Sequence, residues 1–159
     1  MTTEDASAHD RELVLTRTID VSPDKLFRCW TEADLVKQWW APKPVTTPFV
    51  ELDVRAGGVG RIDMRLPDGT DLPNIGVYLE VIPNRKLVLT DAYTSAWVPS
   101  QKPFMTIIVT FDELGDGKTL YTARVRHWTV ADKEQHEKMG FHEGWGICAG
   151  QLADLAKTL

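Results

Sequence analysis

Hydrophobic and polar residues follow two different periods along this chain, changing over near Phe49 and again near Ala131. Between these points the period is two. In VELDV (50–54), Val50, Leu52 and Val54 alternate with Glu51 and Asp53, and in RIDMRL (61–66), Ile62, Met64 and Leu66 alternate with Arg61, Asp63 and Arg65. Such alternation predicts antiparallel strands with one apolar and one charged face. Further strands are predicted at 75–82, 86–93, 104–112 and 118–128. Gly57-Gly58, Pro67-Asp68-Gly69, Pro83-Asn84 and Gly115-Asp116-Gly117 supply turns, and 94–103 reads as a longer loop carrying Trp97. Met105, Ile107, Val109 and Phe111 share one strand face. Tyr121, Ala123, Val125 and His127 share one face of the next strand, which turns His127 inward and leaves Arg124 and Arg126 on a solvated face.

Outside this region the period is that of a helix. After a predicted strand at 12–21, Ser22-Pro23 reads as an N-cap with proline at the first helical position, ahead of an apolar face of Leu26, Phe27 and Trp30. Thr31 and Asp34 resemble a second cap, opening a short helix through Trp40, and Pro42, Pro44 and Pro48 predict an extended connector. From Ala131 to Leu159 the chain reads as helical. Trp145, Cys148, Ala149, Leu152, Leu155, Ala156 and Leu159 form one stripe, and Gly140, Gly144 and Gly146 predict a kink or break near Gly140. Residues 1–11 read as a disordered lead, and 12–159 as one domain.

A sheet that is apolar on one face must bury it, and the last helix is the only long amphipathic partner. The expectation is therefore an α+β fold in which a curved antiparallel sheet wraps the C-terminal helix, with the two short helices closing one end. The gap between a curved sheet and a helix is a natural cavity.

Composition narrows the partners. Lys and Arg number 18 against 23 Asp and Glu, for a net charge of −5, and the basic residues are scattered. This argues against nucleic acid, whose binding rests on clustered positive charge. No apolar run approaches the roughly 20 residues of a membrane helix, and the acidic start MTTEDASAHD is the reverse of a signal peptide, so a cytoplasmic protein without membrane insertion is expected. Cys29 and Cys148 read as two small buried hydrophobes.

The segment RTIDVSPDKLFRCWTEADLVKQWWAP (17–42) resembles the opening of the heat-shock-protein-90 ATPase-activator-homologue family. So do LDVRAGGVGRIDMRLPDG (52–69), GVYLEVIPNRKLVLTDAY (76–93) and the closing GWGICAGQLADLA (144–156). The family belongs to the polyketide-cyclase/START-like (SRPBCC) superfamily, and the resemblance, covering residues 12–158, implies its helix-grip fold. The superfamily includes aromatase/cyclases, lipid carriers and hormone receptors, so function has to come from the residues.

Eight residues are the candidates for the cavity: His127, Trp39, Trp40, Met64, Tyr78, Tyr93, Phe104 and Trp145. The walls are expected from Ile62/Met64 and Met105/Ile107/Val109 against Trp145 and the last helix. His127 is the inward polar point, able to donate from one nitrogen and accept at the other, and Trp39-Trp40 offer flat apolar surface at the lip. No metal or cofactor is expected. Gly117-Lys118-Thr119 has Asp112 where a phosphate loop needs glycine, and His136 and His142 lie about 240° apart on a continuous helix. The leading expectation is a binding protein for a small apolar or aromatic ligand. The alternatives are a cyclase- or hydrolase-like enzyme with His127 as acid/base, and a chaperone-interacting or homodimeric module using the Trp97 loop.

Overall fold

The structure is a computed structural model that describes residues 10–159. The expected disordered lead therefore lies, apart from Asp10 and Arg11, outside the described residues. Arg11 itself is held, its carbonyl accepting from the His127 backbone N–H at 2.9 Å.

The chain opens with β1 (Glu12–Ile19), α1 (Pro23–Thr31) and α2 (Ala33–Trp39). Strands β2 (Thr46–Leu52), β3 (Val59–Arg65), β4 (Asp71–Ile82) and β5 (Lys86–Thr90) follow. After the short β6 (Tyr93–Ser95) and β7 (Val98–Pro99) come β8 (Met105–Gly115) and β9 (Lys118–His127), then α3 (Val130–Lys138) and α4 (Phe141–Ala156). Seven strands make one antiparallel sheet in the order β1-β9-β8-β5-β4-β3-β2, and β6 pairs with β7 in a separate ribbon. This is the expected α+β helix-grip architecture, the curved sheet wrapped on α4.

The period-two reading holds where it was strongest. Tyr121, Ala123, Val125 and His127 are all buried, as are Ile107, Val109 and Phe111 opposite them. Arg124 and Arg126 point outward, but they are not simply solvated, since both bind Glu12 of β1 at 2.9 Å. On α4, Ala149, Leu152 and Ala156 join α1's Leu26, Cys29 and Trp30 in the main core. A smaller cluster of Val36, Val50 and Ile62 lies under α2, and Trp40 touches both.

Local departures have local causes. Pro23 stands in the first turn of α1, but Ser22 caps through its backbone conformation alone, with no side-chain hydrogen bond. The cap of α2 is Glu32, not Thr31, because the Thr31 hydroxyl donates back to the Phe27 carbonyl at 2.7 Å and ends α1. Strand β2 begins at Thr46, earlier than predicted, since a register shift between Thr46 and Phe49 absorbs Pro48. The expected loop around Trp97 is the β6–β7 ribbon. The helical tail breaks at Gly140, which takes φ +94 in the left-handed region that glycine tolerates.

Candidate functional site

The sheet and α4 do not meet along their full length. Toward the N-terminal half of α4 they diverge and enclose a cavity of about 360 Å³, within the usual range for small-molecule pockets. Its floor is the sheet: Ile62 and Met64 of β3, Gly76 and Val77 of β4, Leu89 and Thr90 of β5, and Met105 and Ile107 of β8. Its roof is Phe141, Gly144, Trp145 and Cys148 of α4, continued by His136, Met139 and Gly140 around the break. Trp30, Trp39, Trp40 and Pro42 form the end wall. Met139 at 71% exposure, with Asn74 and Ile75 opposite, marks the mouth.

Aromatic rings keep this space open. Trp30, Trp39 and Trp40 pack with centroids 5.0–5.4 Å apart, and Trp39 Nε1 donates to the Cys29 carbonyl at 2.8 Å. Across the cavity Phe141 stacks on Trp145 at 5.2 Å. The end of α2 is tied to α4 by Gln151, whose Nε2 donates to the Trp39 and Ala41 carbonyls at 3.0 and 2.8 Å. The Cys148 thiol donates to the Trp40 carbonyl at 3.2 Å. Burial pushes that thiol up to about 11, so it is protonated at neutral pH. Glycine is required on the floor, because a Cβ at Gly76 would collide with the Thr90 carbonyl.

Four of the eight expected residues come together here: Trp39, Trp40, Met64 and Trp145. The other four do not line the cavity. Tyr78 is sealed in the core, where its ring lies under Gly60, and burial pushes its phenol pKa up. Tyr93 sits on the β6–β7 ribbon with its ring 6.1 Å from Trp97. Phe104 packs its edge against His127 and His136, at 5.4 and 5.3 Å. Of the expected wall residues only Val109 is absent, fully buried at the closed end.

His127 is the main correction. It is 1% exposed, and its two ring nitrogens are engaged, Nδ1 with the Arg11 carbonyl and Nε2 with His136 Nδ1, each at 2.8 Å. A histidine sealed in this way cannot serve as acid/base on a bound molecule. The imidazole that does line the cavity is His136. Burial, then the neighbouring His127, pull its pKa down to about 4, and burial lowers that of His127 as well. Asp91, at the end of β5, also faces the cavity. Its Oδ1 accepts from the backbone N–H groups of Phe104 and Met105 at 2.8 and 3.0 Å, and burial raises its pKa despite those bonds. Sequence reasoning missed His136 as a cavity residue because α3 buries no residue of its own and has no apolar stripe to orient it. The break at Gly140 brings His142 to 3.3 Å from Glu137 on the surface, while His136 turns inward. Among the described residues no three metal-ligating side chains gather, and no helix is long and apolar enough to cross a membrane.

The family model described as Activator of Hsp90 ATPase homolog 1-like protein matches residues 20–157. Among solved structures, the crystal structure of a protein from Nitrosomonas europaea is 35% identical, with a TM-score of 0.90, and the match covers 94% of this chain and 96% of that one. A protein from Mycobacterium smegmatis matches at 21% identity and TM-score 0.77, over 93% and 91% of the two chains. One from Chromobacterium violaceum matches at 23% and 0.74, over 92% and 96%. The latter two speak to the fold alone. No curated protein matches the chain.

Proposed function

This chain belongs to the Activator of Hsp90 ATPase homolog 1-like family, and on that footing we propose that it binds a small hydrophobic molecule between the sheet and α4. The observation that carries the reading is the cavity of about 360 Å³, walled almost wholly by aliphatic and aromatic side chains with a few polar groups at one end. Sites of this composition hold a ligand by its apolar body and orient it by the polar groups. Removing apolar surface from water supplies roughly 25 cal/mol per Å² buried, the gain that is set against the cost of association.

The test uses Gly144. A Cβ there would meet nothing within 4 Å, and the residue lines the cavity roof, so Gly144→Phe should fill the space without disturbing the core. Titration with the fluorescent probe N-phenyl-1-naphthylamine, with native mass spectrometry for stoichiometry, should give one molecule per wild-type chain. The variant should lose at least tenfold in affinity with its melting temperature kept. Equal affinity in both proteins would place the probe elsewhere and sink the reading.

A second reading has one observation in its favour. Trp97 stands 82% exposed at the tip of the β6–β7 ribbon, the disposition of an anchor for a protein contact. A homodimer built on it would appear in light scattering, and a Trp97→Ser variant would then run as monomer. A wild-type monomer at 100 µM (roughly, the upper range for a weak dimer) removes the dimer.

A further inference from the structure

We propose that the cavity selects ligands carrying a hydrogen-bond donor, a phenol or alcohol on an apolar body, because the Arg11–His127–His136 relay fixes His136 Nε2 as an acceptor. The proposal rests on the binding reading above and names the ligand class for that same site.

The relay starts from a group with no choice. A backbone carbonyl only accepts, so the 2.8 Å contact of the Arg11 oxygen with His127 Nδ1 requires the proton on Nδ1. The burial of His127 keeps its ring neutral. A neutral ring has one N–H, so His127 Nε2 carries a lone pair and accepts from His136 Nδ1 at 2.8 Å. His136 must therefore hold its own proton on Nδ1, and its remaining nitrogen, Nε2, is left as a lone pair. That nitrogen has no hydrogen-bond partner among the described residues. It is also absent from the sealed unpartnered atoms, which are Trp30 Nε1 and Ser100 Oγ, so it remains accessible on a side chain that lines the cavity. In water an isolated imidazole rotates and exchanges its proton between nitrogens freely. Here a carbonyl two residues removed in the relay makes the choice.

The surroundings hold this arrangement. Phe104, Phe141 and His127 surround the His136 ring with centroids 5.0–5.3 Å away, and a flipped ring would set a carbon against His127 Nε2 and lose the 2.8 Å bond. Of the other polar groups at this end, Thr90 has its hydroxyl bonded to that of Thr106 at 2.9 Å, and Asp91 has both its assigned bonds on Oδ1. As a carboxylate it is likewise an acceptor, so an anionic headgroup meets repulsion there. The polar end of the cavity offers lone pairs to a ligand that brings the hydrogen.

The inference has two independent readouts. Long-range ¹H–¹⁵N correlation spectra of wild-type protein at pH 7 should show both His127 and His136 protonated on Nδ1 and bare on Nε2. A His136 ring protonated on Nε2 overturns the proposal whatever binds. Calorimetry at the same pH should then find 2-naphthol about tenfold tighter than 2-methoxynaphthalene, which has the same body but no donor, and 2-naphthoate weaker than either. His136→Leu should reduce 2-naphthol to the level of 2-methoxynaphthalene while changing the latter less than twofold. Should that variant fail to fold, His136→Asn keeps a donor for His127 without an acceptor at the Nε2 position, and it should lose the preference with the fold intact. Equal affinity of wild-type protein for 2-naphthol and 2-methoxynaphthalene overturns the donor selectivity but leaves cavity binding standing. Binding of none of the three compounds overturns both.

Discussion

The two ends of the space between sheet and α4 are built from the same alternating strands and the same helix, yet one is filled and the other hollow. At the filled end Val109, Tyr121, Ala123 and Val125 meet Ala149, Leu152 and Ala156, all nearly or fully buried. At the hollow end the strands present Met64, Leu89 and Met105, but the helix answers with Gly144, Trp145 and Cys148 across open space. The contrast comes from what stands beside the helix. Its C-terminal half joins Leu13 of β1 and Leu26 and Cys29 of α1 in the main core, and Arg17 of β1 donates to the Gly146 carbonyl at 3.0 Å short of mid-helix. Its N-terminal half starts from a left-handed glycine and is held off by wide rings, Phe141 and Trp145 on one side and the three tryptophans on the other. Alternation thus specifies which residues point inward, and the size and placement of the rings decide whether inward means packed.

The largest expected effect breaks this contrast directly. Leu152 is fully buried at the filled end, so Leu152→Ala leaves a new void and should cost about 3–4 kcal/mol in denaturant unfolding. Met64 already borders empty space, and Met64→Ala should cost about 1 kcal/mol because it adds little cavity. Equal costs would mean that the cavity is closed in solution.

Next in size is a pH effect confined to the hollow end. His136 has its ordinary value of 6.5 lowered to about 4 in the folded chain, and His127 is lowered too. Between these values the unfolded chain binds the extra proton, so this stabilisation is full above about pH 6.5 and is lost as pH falls toward 4. Its size is on the order of 2–3 kcal/mol. Around the pair, Asp91 and Asp132 favour the charged form of His127 and Lys133 opposes it. The raised pKa of Asp91 acts in the opposite sense, since its folded carboxyl takes up a proton first. The unfolding free energy of wild-type protein should therefore fall more steeply from pH 7 to 4 than that of His136→Leu. Parallel slopes would show His136 to be protonated as readily folded as unfolded.

Gln151 joins the two ends, and its effect should be intermediate. Replacement by Leu strands the Trp39 and Ala41 carbonyls, which both accept from its Nε2, and should cost about 1–2 kcal/mol. The tryptophan wall should loosen with it, read as faster hydrogen exchange at the Trp39 indole than at Leu152.

Much of this was legible in the chain and some was not, for reasons that differ by residue. His127 reads as inward from its strand face, and it is inward. Its partner across the turn does not read at all, because α3 has no apolar stripe to set its rotation. Strand β4 is apolar on both faces, so its pattern does not set the facing of Tyr78, and the register shift between Tyr78 and Glu80 buries Val77 and Tyr78 in succession. Trp39 and Trp40 read as a lip. The cavity reached them because Trp40 ends α2 while Gln151 and Cys148, 112 and 108 residues further along the chain, hold the carbonyls of Trp39 and Trp40. Pattern within an element is local and visible, whereas contacts between elements are fixed only by the assembled fold.

The smallest effect is the most discriminating. Gly144 lies within α4, its N–H bonded to the Gly140 carbonyl at 2.8 Å, and it has an ordinary helical φ. Alanine in a helix interior is better than glycine by about 0.5–1 kcal/mol, and the gain comes largely from restricting the unfolded chain. A Cβ at this position meets nothing within 4 Å, so no clash offsets the gain, and Gly144→Ala should raise stability by that amount in thermal unfolding. The same methyl enters the cavity, so the gain should come with a modest loss of affinity for a probe that fills the space, and with none for a smaller one. Gly146 is the control on the other side of the helix. There an added Cβ meets the Arg17 guanidinium at 3.4 Å, so Gly146→Ala should gain less stability and leave probe affinity unchanged. If the two alanines behaved alike in both measurements, the space beneath position 144 would not be the space that the probe fills.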